Sequence, residues 1–504
     1  MNSIFHRLHW LQWSLLSLIA GALTTLAFAP FDLSWLVFLT LAVAFYFWNK
    51  LPAKQAAISA WLFALGLQGT GVSWIFFSVH THGNAPVFFA VLLIFLLSCF
   101  LALFTALAAY SVNRYLPNKA ALRLMLFYPA SWLVFEWLQG YLFTGFAWMQ
   151  LGYTQIDLPL SGFAPIFGNH AVGGLVALSA GALVLLVLKG KQVYFKYVLF
   201  VVLPVGLIWL LAAQLKTVSW TEKTGDIIKV SVVQGNIAQK DKWKPQMKQL
   251  TLDRYRDLTL AQQDVDLFIW PETTVPSYLH RVEPYLQQLR LDMQQRDADL
   301  LLGIFVKNDE NRILNSALNI NGGIYHKRHL VPLGEYVPFR FLIEFFNRFV
   351  NIPMSDIDSG QDDQTLLVAA GVPLAVTICF EEAFARNVIK DLPEAKILIN
   401  MSNDAWFEDS HQPHQHHAIA RMRALEAGRY MIRSTNTGIT SLIGPQGEVI
   451  KQLPQFETGV LNGEVQPLSG ATPFVRWGDW LIVGLCVLLL LGFGFKNFSA
   501  NGRE

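Results

Sequence analysis

Apolar residues run through this chain in two regimes. From residue 10 to 215, and again from 477 to 495, they form long runs almost free of charge; between 216 and 470 they come in short bursts separated by polar stretches. The long runs divide into eight segments at about 11–29, 33–49, 56–78, 86–111, 122–140, 168–188, 196–215 and 477–495, each near the roughly 20 residues a helix needs to cross a bilayer. They predict eight transmembrane helices: seven in a domain at 1–215, and the eighth in a C-terminal segment at 471–504 that ends in a short tail.

The polar region reads differently. Ile228–Ile237 alternates and then turns apolar, which predicts a first strand. Residues 246–263 predict a polar-faced helix, 264–272 a second strand stopped by Pro271, 283–296 a helix, and 300–306 a third strand. Strands follow at 316–324, 366–378 and 395–401, then a helix at about 411–428 and paired strands at 430–442 and 447–453. Strands alternating with helices imply an α/β layered domain at 216–470.

Composition and charge turn this pattern into a topology. The chain is 53% hydrophobic and 15% charged, where soluble domains carry about 25%. Arg7, Lys50 and Lys54, Arg114, Lys119 and Arg123, Lys189, Lys191 and Lys196, then Lys496 and Arg503 all fall on one side of the predicted spans, while the short loops at 30–32, 79–85 and 141–167 contain no Lys or Arg. The positive-inside rule places both termini in the cytoplasm and 216–470 outside it. Ala27-Phe-Ala29 resembles a signal-peptide cleavage site, but Pro30 and the long apolar run favour an uncleaved span. The net charge of +2, with no basic stripe, argues against a nucleic-acid partner. Nothing in the chain demands assembly, so a monomer is expected.

Candidate chemistry gathers at strand ends. The stretch 372–382 is a short strand closing on Cys379, followed by Phe380, Glu381 and Glu382. Cys379 is the one cysteine in the polar region; Cys99 and Cys486 sit in apolar runs. A lone thiol is either filler or reactive. Glu272 lies just past a second strand and Lys327 in a turn-flanked segment, each roughly 50 residues from the next, about the length of a βαβ unit, and strand ends in one sheet commonly converge on a crevice. Together they could act as base, cation and nucleophile. Glu136, in the fifth run, either ties helices together or meets a polar head group. His411, His414, His416 and His417 lack the spacing of a common zinc motif, and neither metal nor cofactor is expected. At 340–350 one helical face carries Leu342, Phe345, Phe346, Phe349 and Val350; with Phe341 this is either a lid that dips into the membrane or an ordinary core helix.

Trp270-Pro-Glu272, Lys327-Arg-His-Leu330 and Cys379-Phe-Glu381 resemble the Glu–Lys–Cys triad of the nitrilase (carbon–nitrogen hydrolase) superfamily. The wording around them resembles one branch, the bacterial apolipoprotein N-acyltransferases: Val233-Gln-Gly-Asn-Ile237 with Trp243, the run from Lys327 to Pro338, Ser402-Asn-Asp-Ala-Trp-Phe407 and Arg421-Met-Arg-Ala-Leu-Glu426. The resemblance implies an α-β-β-α sandwich inserted between the seventh and eighth of eight membrane helices. It implies an inner-membrane enzyme with a periplasmic catalytic domain. Its activity would be acyl transfer from a phospholipid, through a thioester, to the N-terminal amine of the diacylglyceryl-cysteine of an apolipoprotein. Glu272, Lys327 and Cys379 would be catalytic; Trp243, Glu335, Phe380 and Glu381 would support the site or bind substrate. Phe380 stands where some members carry tyrosine, Gln139 replaces arginine, Ala147 replaces proline, and Glu408 replaces a glycine. A membrane-anchored amidase of the same superfamily is the alternative. A transporter would need a polar midplane pathway, of which Glu136 alone is visible, and no G-x-S-x-G elbow suggests a serine hydrolase.

Overall fold

The structure, a computed structural model, describes residues 2–189, 198–336 and 357–501. The chain forms two compact units: one comprises Met1–Trp74, Val91–Val218 and Trp477–Glu504, the other Ile75–Ala90 and Ser219–Arg476.

Each of the eight apolar runs contains helix. Val87–Tyr115, Pro159–Leu188, Val198–Leu215 and Trp480–Asn497 are long and apolar enough to cross a membrane, and Gln12–Ala27 and Leu36–Lys50 are apolar but shorter. The third run departs from its expected bounds of 56–78. Its helix is Ala53–Gly71, and from Ile75 the chain belongs to the second unit. Within the first unit, helices Asn2–Thr24 and Ala53–Gly71 meet backbone to backbone. A Cβ on Gly21 would fall 1.8 Å from the Phe63 carbonyl oxygen, and one on Gly66 2.2 Å from that of Leu18. Lipid gives no hydrophobic reward for helix association, so close approach through small residues supplies the attraction. Glu136 is buried and accepts hydrogen bonds from Trp132 Nε1 (3.2 Å) and the Leu151 backbone N–H (3.0 Å). It therefore ties helix Tyr128–Gln139 to the segment that follows.

The second unit stacks two sheets. In chain order the strands used below are β1 (Ile228–Gln234), β2 (Leu267–Ile269), β3 (Asp299–Lys307), β4 (Ile313–Asn319), β5 (Ile324–His326), β6 (Leu367–Ala369), β7 (Val372–Ile378), β8 (Ile397–Ser402), β9 (Met431–Thr435), β10 (Ser441–Ile443), β11 (Val449–Gln452) and β12 (Gly459–Val465). One sheet runs β12-β1-β2-β3-β4-β5 and the other β11-β10-β9-β8-β7-β6. In each, three central strands are parallel, β1-β2-β3 and β7-β8-β9.

Period-two alternation explains the layering. Ile228, Val230 and Val232 of β1, Leu267 and Ile269 of β2, Leu374, Val376 and Ile378 of β7, and Ile397, Ile399 and Met401 of β8 share one core between the sheets. The intervening Val233, Phe268, Leu300 and Leu302 pack outward with Leu252 and Tyr255 of helix Pro245–Leu260 and Leu286 and Leu289 of helix Glu283–Gln294. On the far face, Ala375 and Leu398 pack with Ala420 and Ala424 of helix Gln412–Ala427. The architecture is the nitrilase-like α-β-β-α sandwich.

The expected strand 316–324 is the end of β4, the turn at 320–323 and the first residue of β5, and two further boundaries differ for local reasons. The run 366–378 is not one strand but the hairpin β6–β7, because Ala370 and Gly371 turn at φ +48° and +73°. Residues 430–442 likewise split into β9 and β10, with polar Asn436 and Thr437 between them.

Gly303 of β3 links this framework to the site. A Cβ there would lie 2.3 Å from the Thr273 nitrogen and 2.6 Å from the Pro271 carbonyl oxygen, backbone on both sides of Glu272. Gly303→Ala should displace that segment, destabilise the protein by about 1–3 kcal/mol and reduce activity; an unchanged melting temperature with normal turnover would refute the role of this contact.

Candidate active site

The three sequence-selected groups reach one cavity, but from two sheets rather than one. β2 ends at Ile269, and Trp270 extends its ladder by one bond to the Leu301 carbonyl (2.8 Å). Pro271 cannot donate the next ladder bond, and the chain turns to present Glu272. On the same sheet β5 ends at His326, and the Lys327 N–H still pairs with the Asn315 carbonyl (2.8 Å), aligning Lys327 with β4. Cys379 follows β7 of the other sheet, at φ +54°. A left-handed residue directly after a strand reverses the chain sharply and leaves the side chain projecting from the turn. The expectation of one sheet's strand ends converging is therefore corrected: the crevice lies at the ends of both.

Glu272, Lys327, Glu335, Cys379 and Trp243 line a cavity of about 140 Å³. Lys327 Nζ donates to Glu335 Oε1 at 2.8 Å and stands 3.7 Å from Glu272 Oε1. Asn315 Nδ2 joins the two carboxylates, donating to Glu272 Oε1 (2.8 Å) and more weakly to Glu335 Oε1 (3.3 Å). Glu335 Oε2 in turn accepts the Val331 N–H at 2.8 Å. Burial would lower the Lys327 pKa, but Glu335, Glu272 and Cys379 together outweigh it, so the ammonium is held above the ordinary lysine value. Cys379 moves the other way for its chemistry. Burial first, then the Glu272 carboxylate, push the thiol well above its usual pKa, and Lys327 only partly offsets them. At neutral pH the resting sulfur is a thiol, so attack requires a base, and Glu272 lines the same cavity.

Glu381 does not line the cavity; it braces it from behind. The buried carboxylate accepts the N–H groups of Ile378 (2.7 Å), Arg328 (2.6 Å) and His329 (2.8 Å) and the Tyr325 hydroxyl (3.0 Å). It thus joins the strand leading to Cys379 to the segment that carries Lys327. Phe380 packs against His329 and Phe384 at ring distances of 5.9 and 5.1 Å, an apolar role that needs no hydroxyl. Trp243 stacks on Phe305 at 5.8 Å and, 44% exposed, forms part of an apolar wall with Leu333, Trp406 and Phe407. Glu408 lies at φ +49°, where the resemblance expects glycine, and its carboxylate is 3.0 Å from His82 Nε2. The candidate lid residues Phe341, Phe345, Phe346 and Phe349 lie outside the described residues.

Sequence reasoning missed Lys242 and Asn315. Lys242 is buried, lines the cavity, and donates to the Glu272 carbonyl at 3.2 Å; burial lowers its pKa to about 8 against the pull of Glu272 and Cys379. Its neighbour Trp243 was the available signal. Ser78, at the end of the expected third span, and Val79 and Gly83, from a segment read only as a loop between spans, also line the wall.

Residues 20–182 match the family described as the apolipoprotein N-acyltransferase N-terminal domain, and residues 229–474 match carbon–nitrogen hydrolase. The apolipoprotein N-acyltransferase of Methylococcus capsulatus is 42% identical over 97% of both chains. This chain belongs to the apolipoprotein N-acyltransferase family. The Coxiella burnetii member is 37% identical over 95% of this chain and 99% of its own. A carbon–nitrogen hydrolase from Helicobacter pylori G27 is a structural neighbour at 17% identity and TM-score 0.36, over 48% of this chain and 89% of its own. As a member of this family the protein is an acyltransferase, with a nitrilase-like catalytic domain and several apolar helices that make it a membrane protein.

The electrostatics predict opposite effects of one substitution. Glu272→Gln removes the charge that helps hold the Cys379 thiol neutral, so the pH at which Cys379 becomes alkylable by iodoacetamide should fall. Acyl transfer should nonetheless drop by about 10²–10⁴-fold for want of a base. Site-resolved alkylation across pH would measure this, and an upward or absent shift would contradict the assigned coupling.

Proposed function

We propose that this protein transfers a fatty acyl chain from a membrane phospholipid to the N-terminal amine of the diacylglyceryl-cysteine of apolipoproteins, completing their lipid modification. The observation that carries this reading is the meeting of Cys379 with Glu272 and the Glu335-bound Lys327 in one cavity with an apolar wall. The Cys379 sulfur attacks the ester carbonyl carbon while Glu272 takes the thiol proton. Charge on the carbonyl oxygen is met by the Lys327 ammonium and the Phe380 backbone N–H. The tetrahedral intermediate collapses by breaking the bond to the glycerol oxygen, which leaves as lysophospholipid with the proton from Glu272.

The second half retraces the first. The acceptor's α-amine attacks the thioester carbonyl, loses a proton to Glu272, and the carbon–sulfur bond breaks. An amide leaves, and the thiolate takes back its proton. Glu335 keeps Lys327 charged and aimed. Trp243 offers a flat apolar surface to an acyl chain.

The charge pattern of the loops supports a multi-pass bacterial inner-membrane protein with eight spans, both termini in the cytoplasm and the catalytic domain in the periplasm, between the seventh and eighth spans. Both substrates are lipidated and would be met at that surface, and a monomer suffices for the chemistry.

Intact-protein mass spectrometry after incubation with phospholipid tests the reading. A stable acyl adduct on Cys379, absent in Cys379→Ala and discharged by a diacylglyceryl-cysteine peptide, is the expected result. Free fatty acid released without an adduct would favour a membrane-anchored amidase or hydrolase instead. Glu272→Ala and Lys327→Ala should each lower transfer by roughly 10³-fold or more while the protein still inserts; near-normal turnover in either would remove that residue from the triad.

A further inference from the structure

Behind the nucleophile lies a charged cluster that the acyl-transfer chemistry leaves unused. Glu382, Asp404, His416 and Arg433 come from four separate stretches of chain, and none of their side chains is more than 1% exposed. Arg433 Nη1 bonds Glu382, and Nη2 donates to Asp404 Oδ2 at 2.9 Å. His416 Nδ1 lies 2.9 Å from Asp404 Oδ1 and also 2.9 Å from Arg433 Nη2, while Nε2 lies 2.9 Å from Glu382 Oε1. Buried charges persist only when paired. Two carboxylates against one guanidinium leave a negative charge that an imidazolium cancels. Burial and Arg433 oppose that charge on His416, and Glu382 and Asp404 outweigh them, lifting its pKa above the ordinary histidine value.

The cluster includes Glu382 of the turn that begins at Cys379, and it also reaches the backbone of Cys379. The Cys379 carbonyl oxygen is 3.3 Å from His416 Nε2 and 3.3 Å from Asn400 Nδ2. Asn400 is itself fixed, donating to Thr377 Oγ1 at 3.1 Å and accepting from Arg433 Nη1 at 3.0 Å. A peptide unit is planar and trans, so its carbonyl and its N–H point in opposite directions and turn together. The N–H on the other edge of the Cys379 peptide is that of Phe380. Whatever grips this carbonyl sets the direction of that N–H.

We infer that His416, with Asn400, is a positioning residue for the oxyanion donor: by holding the Cys379 carbonyl it aims the Phe380 N–H at the oxygen that becomes charged in both tetrahedral intermediates. The inference rests on reading Cys379 as the nucleophile. It also gives a reason for a fully buried ion cluster, which is a poor source of net stability. A strained turn at φ +54° has other backbone orientations near in energy, and a rigid, charge-balanced grip selects one of them.

The test compares two reactions of the same sulfur in the full-length protein in detergent. Thioester formation from phospholipid passes through an oxyanion; alkylation by iodoacetamide displaces iodide and forms none. His416→Asn keeps an amide near Asp404 and loses reach to the Cys379 carbonyl, whereas His416→Gln keeps an amide near the Nε2 position. Acylation of His416→Asn should fall about 10- to 100-fold, with unchanged KM for phospholipid, while Cys379 alkylation stays within about threefold of wild type. His416→Gln should recover part of the acylation. A parallel fall of both reactions, or normal acylation, overturns the inference. If the asparagine variant does not accumulate, the acylation-to-alkylation ratio of His416→Gln decides: a ratio below wild type supports the grip, and an unchanged ratio refutes it. Absence of any adduct on wild-type Cys379 would instead overturn the nucleophile assignment.

Discussion

One carboxylate holds the site together. The groups proposed as catalytic come from two sheets, so the offset between a strand end on one and a strand end on the other decides whether they meet. Interdigitated apolar side chains resist sliding, and directional hydrogen bonds set the offset more sharply. Glu381 makes the offset definite because it accepts from Ile378 at the end of β7 and from Arg328 and His329 immediately after Lys327, with Tyr325 of β5 as a fourth donor. Burial raises its pKa, but Lys327 and the three N–H groups oppose that rise. A fully satisfied buried carboxylate of this kind is rigid, and removing any donor leaves charge uncompensated. The Cys379 turn and the segment after Lys327 are thus joined by a residue that lies outside the cavity lining.

The charges inside the cavity follow from that rigidity. Lys327 is the strongest cation there because Glu335 and Glu272 flank it, and Asn315 stops those two carboxylates from drifting apart. The same carboxylates act against the thiolate. In the proposed mechanism Cys379 therefore loses its proton only as Glu272 takes it. Lys242, held against the Glu272 backbone carbonyl, adds a second amine, whose pKa burial lowers to about 8. Gly303 lets β3 press on the Glu272 segment without a side chain between them.

Much of this was legible in the sequence, and the unread part has a common cause. Cys379, Glu272 and Lys327 stood out because reactive residue types followed strand-like runs and sat in long ordered motifs. The inner and outer faces of β1, β2, β7 and β8 were readable as alternation. Lys242 was not, because it is one of three lysines at alternate positions, 240, 242 and 244, and only the short helix Gln239–Lys242 turns it inward. The hairpin at Ala370-Gly371 was hidden because both of its arms are apolar. Assigning the triad to one sheet failed because strand order across sheets is a tertiary fact. The four-residue ion cluster is invisible in one dimension for the same reason: Glu382, Asp404, His416 and Arg433 acquire meaning only when helix Gln412–Ala427 packs over β8 and β9.

The raised thiol also bears on where this enzyme works. In the proposed topology Cys379 faces an oxidising compartment, where an accessible thiolate is the form that is lost to oxidation. Nucleophilic cysteines usually sit in electropositive sites that lower their pKa. Here burial and Glu272 do the opposite, and a lysine with two carboxylate neighbours cannot reverse it. A neutral sulfur reacts slowly with oxidants, and in the proposed mechanism it is activated as its proton moves to Glu272. Cys99 and Cys486 lie in apolar helices, far along the chain from Cys379. Burial first, and then the Glu272 carboxylate, hold this sulfur as a thiol, and Glu272 is also the group that serves as base in the proposed mechanism.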